Sequence, residues 1–436
     1  MSEETSLIDK LKKKGTLDKS VYQTLLFRLS GLGLIFLLQI LLARLMGPKS
    51  YGDYTVIITT VNLLLVLSMF GFDSAILRFL PSSLEKGDEA SAVGFIKFAN
   101  RVMTVLVIAC AIGIFIFLLS KSRSFNRDFS EGLFWAMILL PFLAYTTFSA
   151  AVLRALRRIR LSMLPAYFLF PVMMGIMSWI YYRGENKLTA DAAMVLNLGV
   201  SAIICFYINR KAKKALRESV GDTQANYTRR AWISVSSVLF LTTAMDLLLK
   251  QSDILMVGYF LNNMKAGFYA VAAKLATLSA LGLAVADYVV MPRIAGMFES
   301  RQYSKLQKMI RNASFQILSI SLPVIIGLAI FGKMILGFFG LPYKDSYVAL
   351  LILLIGQLVN SATGMVGGLM MMTGHQRKFF LFYAGAIALQ FLLNVLLIKP
   401  FGINGAAIAT STSMIFLNVS AYLFVSRKLK IKASVF

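Results

Sequence analysis

The stretch TAMDLLLKQSDILMVGYF, residues 243–260, is apolar enough to lie in lipid and yet carries Asp246, Lys250 and Asp253. Positions i, i+4 and i+7 of an α-helix fall on one stripe, so Lys250 stands one turn from each carboxylate. A charge at membrane depth costs roughly 2.5–3.5 kcal/mol on insertion scales, and such groups face a bundle interior or a wet cavity. The stripe reads in one of two ways. It is a functional polar seam inside a membrane bundle, or a self-neutralised ladder that only fixes the rotation of its helix.

The rest of the chain places that stretch among many like it. Of 436 residues 58% are hydrophobic and 15% charged, and the mean hydropathy is +0.73. That composition belongs to an integral membrane protein. Apolar blocks of about 20 residues match the length of a helix crossing the hydrocarbon core, which makes the fold class all-α. Spans are expected at 21–43, 54–72, 99–119, 131–152, 162–181, 189–208, 232–257, 267–291, 313–332, 347–371, 379–398 and 404–425. Cys110 and Cys205 lie inside apolar blocks, and the single histidine, His375, sits in a short polar loop. No metal-ligand set and no cofactor are therefore expected, and acid–base work falls to Asp, Glu, Lys or Tyr.

The net charge of +25 does not call for nucleic acid. With these spans, 31 of the 45 Lys and Arg lie on the side of the N-terminus and 11 on the other, with Arg28, Lys250 and Lys274 inside spans. The positive-inside rule then puts both termini in the cytoplasm of an inner, or cytoplasmic, cell membrane. No part of the chain reads as a removable targeting peptide.

A basic N-terminus, 1–19, leads into a first lobe at 20–208. The polar linker 209–230 separates it from a second lobe at 231–426, and a tail covers 427–436. Landmarks recur between the lobes. YGDY carries Gly52 and Tyr54, and AGFY carries Gly267 and Tyr269, an offset of 215. Pro81 and Pro292 each precede a charged amphipathic stretch at an offset of 211, and ADAAMV at Ala190 matches NGAAIA at Asn404 at 214. Six spans per lobe is an even number, so the repeats are parallel, related by a pseudo-two-fold along the membrane normal. That is the plan of a two-lobed transporter with a central cavity.

Three segments, LLARLMGPKSYGDYTV (41–56), QSDILMVGYFLNNMKAGFYAVAAKLA (251–276) and PFGINGAAIATSTS (400–413), resemble landmarks of polysaccharide biosynthesis flippases. Those belong to the multidrug/oligosaccharidyl-lipid/polysaccharide exporter (MOP) superfamily. The resemblance runs from about residue 20 to 426. It implies translocation of a lipid-linked oligosaccharide, with the phosphate or pyrophosphate head in a central cavity and the polyprenyl tail in lipid. It also implies basic cavity residues in the first spans.

Arg28 stands about 12 Å deep in span one, counted at 1.5 Å per residue. Its planar, permanently charged fork suits a phosphate. The structural alternative is a pair with Asp73 or Asp287. Arg78 is a second candidate at the mouth of the cavity, or a snorkelling residue. Lys274 and Asp253 lie at matching depths and could pair, which with Lys250 completes the substrate-binding candidates. Asp246 lies nearest the midplane and is the first candidate for coupling to H+ or Na+. Asp73, Asp246, Asp253 and Asp287 match the four embedded bases in number, so a strongly cationic cavity does not follow from the sequence. Gln357, Asn360, Gln390 and Asn394 read as interhelical hydrogen-bond glue, and Gly364, Gly367 and Gly368 as packing or a bend.

Two other functions compete with a flippase. One is a cation-coupled drug antiporter of the same superfamily. The other is a membrane-embedded polymerase or ligase of polyprenyl-linked glycans, disfavoured by short outer loops. No Walker motif is present. The expected partners are the glycolipid, membrane lipids and membrane-associated glycosyltransferases, around a monomer.

Overall fold

The computed structural model describes residues 19–121, 127–220, 223–280, 282, 283, 286, 290, 291, 294, 296–298, 300–429 and 431. Every regular element among them is helical. The first, α1 (Lys19–Met69), has 51 residues, about 76 Å at 1.5 Å per residue and more than twice the thickness of a hydrocarbon core. It breaks only at Gly47, φ +72° and ψ 173°, just before Pro48. Proline drives the residue before it out of the helical region, and glycine alone takes a left-handed φ freely. The expected spans 21–43 and 54–72 are therefore joined at one residue rather than by a ten-residue loop.

The chain continues as α2 (Phe72–Glu85), α3 (Glu89–Lys121), α4 (Arg127–Ala155) and α5 (Ile159–Leu164). A π-turn at Pro165–Leu169 leads into α6 (Phe170–Glu185), followed by α7 (Ala190–Val220) and α8 (Arg229–Phe260). Next come α9 (Asn263–Thr277), α10 (Tyr303–Gly337), α11 (Tyr347–Thr363), α12 (Val366–Met372), α13 (Gln376–Phe401) and α14 (Ile403–Phe424). Caps set several starts. Asp88 accepts the Ser91 N–H at 3.0 Å ahead of α3, and the Ser91 hydroxyl together with that N–H holds its carboxyl below the usual carboxylate range. Asn262 accepts the Lys265 N–H at 2.9 Å ahead of α9. Among the described residues ten helices are long and apolar enough to cross a membrane, the first of them spanning 59 residues. The chain is a multi-pass membrane protein. Expected span eight falls partly on residues outside the description, and expected span ten is divided at Gly364, φ +66°, into α11 and α12.

The described residues form two compact units. One draws on residues up to 45, 67–125 and 130–240, the other on 46–66, 126–129 and 241 onward. In the first unit α2 packs on α3 and α6 on α7. Trp232 is buried against Phe95 and Phe98, with ring centroids 5.5 and 5.6 Å apart. The Asn226 N–H donates to the Ala90 carbonyl at 2.9 Å, and Thr223 donates to Glu89 at 3.1 Å. The expected linker 209–230 is thus not a loop throughout: 209–220 are the last turns of α7, and 223–228 are strapped to the start of α3.

In the second unit α14 is the central helix, packed along α11 and α13. Its buried Gly405, Ala406, Ala407, Ala409, Ser411 and Ser413 let those helices approach closely. Small residues and interhelical hydrogen bonds hold helices together where lipid offers no hydrophobic drive.

Candidate functional site

The charged stripe of α8 divides into two sites. Lys250 Nζ sits 2.8 Å from Asp246, with the side chains 61% and 47% exposed. The Tyr383 hydroxyl on α13 donates to the same carboxylate at 3.0 Å. Asp246 therefore has an ion-pair partner and a hydroxyl on it. Asp253 is different. It is 1% exposed, and no described cation pairs with it.

Neutral donors surround Asp253. The Tyr269 hydroxyl from α9 donates to its Oδ2. The Thr410 hydroxyl from α14 donates to the same oxygen at 2.9 Å, and the Ile254 N–H reaches Oδ1 at 2.8 Å. Gln390 and Asn394, one turn apart on α13 and both fully buried, extend the cluster, with Gln390 Nε2 3.5 Å from the Thr410 hydroxyl. Gln390 Oε1 and Asn394 Oδ1 have no hydrogen-bond partner among the described residues. An unpaired buried carboxylate costs several kcal/mol unless its lone pairs are satisfied. Here three donors satisfy it, and the Gln390 amide, through Thr410, adjoins the same cluster. Such a group can take up a proton or a small cation.

The expected pairing of Asp253 with Lys274 is not formed; Tyr269 and Thr410 take that carboxylate instead. Lys274, on α9, is partly buried and makes no ion pair with a described residue. Arg28, in α1, is also partly buried without one. Its neighbour Phe27 packs against Phe168, the rings tilted by 39° with centroids 4.3 Å apart. Asp73 begins α2 with Arg154 as the cation that acts on it, so Arg28 is not its partner. Arg78 is exposed. Asp287 lies outside the described residues. No group of three or more His, Cys, Asp or Glu that could hold a metal occurs among the described residues.

The repeat landmarks meet in space within the second unit. A Cβ on Gly52 would stand 2.2 Å from the Asn263 carbonyl oxygen, and one on Gly267 2.9 Å from the Gly52 Cα. Asn263 Nδ2 donates to Asp53 Oδ1 at 2.6 Å, and Tyr51 packs edge-on to Tyr343 at 6.0 Å. The contact of Gly52 with Gly267 leaves no room for a side chain. Gly52→Ala is expected to destabilise by about 1–3 kcal/mol through overpacking, seen as a drop in the melting temperature of the purified protein. Gly33→Ala, with open space around it, is expected to leave that temperature unchanged or raise it.

Asp53, Asn263, Tyr383, Tyr269 and Thr410 were not singled out as site residues by sequence reasoning. Beyond the charge of Asp253 itself, the i, i+4 spacing of Gln390 and Asn394 in an apolar span was the usable signal for this cluster.

Comparison with known proteins follows the same lines. The family model described as polysaccharide biosynthesis protein matches residues 17–298. A curated relative, the probable low-salt glycan biosynthesis flippase Agl15 of Haloferax volcanii, is 24% identical over 162 residues, 37% of this chain. The match spans 34%, about a third, of that relative's length. An inward-facing multidrug resistance MATE family transporter of the MOP superfamily superposes with a TM-score of 0.76 at 13% identity, covering 92% of this chain and 94% of its own. The lipid II flippase MurJ in an inward closed conformation gives 0.70 at 16% identity, covering 94% and 88%. The fold is the one these transporters share.

Proposed function

We propose, on the footing that this chain belongs to the polysaccharide biosynthesis protein family, that it is a flippase for a polyprenyl-(pyro)phosphate-linked oligosaccharide. It moves its substrate from the cytoplasmic to the outer leaflet by alternating access, and performs no chemistry on the sugar. The observation that carries this reading is the pair of membrane-embedded cations, Arg28 and Lys274, that no described acid neutralises. A cation held at depth without a partner is costly, and an anionic ligand offsets that cost. Arginine meets a phosphate with two parallel hydrogen bonds, lysine with a point charge. Lys250 is less suited, because Asp246 already holds it at 2.8 Å.

Coupling passes in this proposal from Asp246 to Asp253. Asp246 is neutralised by Lys250, whereas Asp253 has only neutral donors and is the carboxylate free to exchange H+ or Na+. Two lobes at 20–208 and 231–426, joined through 209–230, would rock about the contact of Gly52 with Gly267. The protein would act as a monomer in the cytoplasmic membrane, both termini inside, and receive its substrate from membrane-associated glycosyltransferases.

The test uses proteoliposomes loaded with a fluorescent polyprenyl-pyrophosphate oligosaccharide. Arg28→Ala and Lys274→Ala are each expected to slow translocation roughly tenfold to hundredfold, the loss of a charge-assisted hydrogen bond worth about 1.5–3 kcal/mol. Arg78→Ala, at an exposed position, is expected to stay close to the intact protein. Translocation unaffected by both Arg28→Ala and Lys274→Ala would overturn the phosphate assignment.

A further inference from the structure

On α7 the exposed face runs from apolar to cationic without turning. Val195, Ile203, Phe206 and Tyr207 are exposed large side chains, Ile203 at 59% and Phe206 at 63%. Arg210, Lys211, Lys213, Lys214 and Arg217, all exposed, follow in the next three turns. At about 100° per residue, Ile203 through Arg217 of this set fall within an arc about 160° wide. The opposite face carries the buried Ile204, Ile208, Ala212 and Ala215. One stripe of one helix therefore presents hydrocarbon and then positive charge, about 16 Å from Ile203 to Lys214 at 1.5 Å per residue.

Two further contacts order the junction. The Arg210 guanidinium lies 4.6 Å over the Phe206 ring, and the Lys211 ammonium 5.6 Å over Tyr207. These hold both cations against the apolar rings rather than out in water. Glu218, the single acid between residues 195 and 220, is bonded to Arg158 and does not compete for them.

We propose that this face of α7 binds an anionic phospholipid. Its acyl chains pack on Val195, Ile203 and Phe206, and its headgroup phosphate is held by Arg210, Lys211 and Lys214. The positive-inside rule accounts for the sign of the charge but not for its alignment with the lipid-facing stripe or for its cation–π anchoring. The assignment is independent of what the protein transports.

The test places the full-length protein in phosphatidylcholine vesicles with a few per cent of spin-labelled phosphatidylglycerol or spin-labelled phosphatidylcholine. The intact protein is expected to immobilise the anionic probe preferentially, with a preference that falls as salt rises. Each of Arg210→Gln, Lys211→Gln and Lys214→Gln is expected to weaken that preference roughly fivefold, from about 1 kcal/mol per cation near the surface. Arg229→Gln with Arg230→Gln, exposed cations at the start of α8, is expected to leave it unchanged. Single variants keep the reading available if a triple variant does not fold. Equal binding of the two lipids by the intact protein would overturn the proposal. So would a preference unaltered in all three variants, or displacement of the lipid by soluble glycerol phosphate.

Discussion

Asp253→Asn is expected to reduce ion-driven transport to the background of empty vesicles while leaving the protein folded. The substitution keeps the shape of the side chain and an acceptor oxygen for the Tyr269 and Thr410 hydroxyls, and it gives up only the Ile254 N–H bond to the other oxygen, a loss of about 1–3 kcal/mol. What it removes is the negative charge, and with it the group that exchanges a proton or holds a cation. Asp246→Asn is expected to behave otherwise. It strips Lys250 of its partner at a position where both side chains are about half exposed, and exposed pairs contribute about 0–1 kcal/mol. The check is transport driven by an imposed H+ gradient, and separately by an imposed Na+ gradient, in the two variants. Loss in Asp246→Asn with retention in Asp253→Asn would return the coupling role to the exposed pair.

The second large effect is expected from joining Asp53→Cys to Asn263→Cys, with Cys110 and Cys205 replaced by serine. The native side chains meet at 2.6 Å, in the segment where Gly52 lies against Gly267. A short bis-methanethiosulfonate cross-linker, which joins each cysteine through a disulfide and releases sulfinate, is expected to bridge the pair and stop translocation, and reduction of the disulfides is expected to restore it. The reason is the proposed symmetry of the two lobes. If the two lobes move about an axis that passes between the repeat-related glycines, that contact must change as access changes sides. A bridged protein that still transports would remove the contact from the moving parts.

How far the residues disclosed this arrangement differs from element to element. The stripe of Asp246, Lys250 and Asp253 was legible because helical spacing is local. Which carboxylate Lys250 takes was not, since i, i+4 and i, i+3 neighbours are both in reach. Depth counting favoured Asp246 for coupling, but the difference between the two acids is made by Tyr269, Tyr383 and Thr410, supplied by three other helices. Thr410 is 157 residues from Asp253, and one hydroxyl among many in an apolar span carries no mark of its partner. The segment ARLMGPKSYGDY read as a loop because it is polar. Only Gly47 leaves the helix there, since Asp53 finds Asn263 and needs no water. The basic end of α7 read as linker for the same reason, although Ile208, Ala212 and Ala215 already carried the helical period. The glycines of the two expected landmarks, Gly52 and Gly267, lie against each other, a contact that their offset of 215 residues does not announce.

The most direct test of the whole account is translocation by the intact protein in proteoliposomes, with a fluorescent polyprenyl-pyrophosphate oligosaccharide and a cationic dye measured side by side. The glycolipid is expected to cross at a rate well above empty vesicles, and the dye is not. Dye efflux without glycolipid movement would contradict it, and would assign the Asp253 cluster to a cation-coupled antiporter.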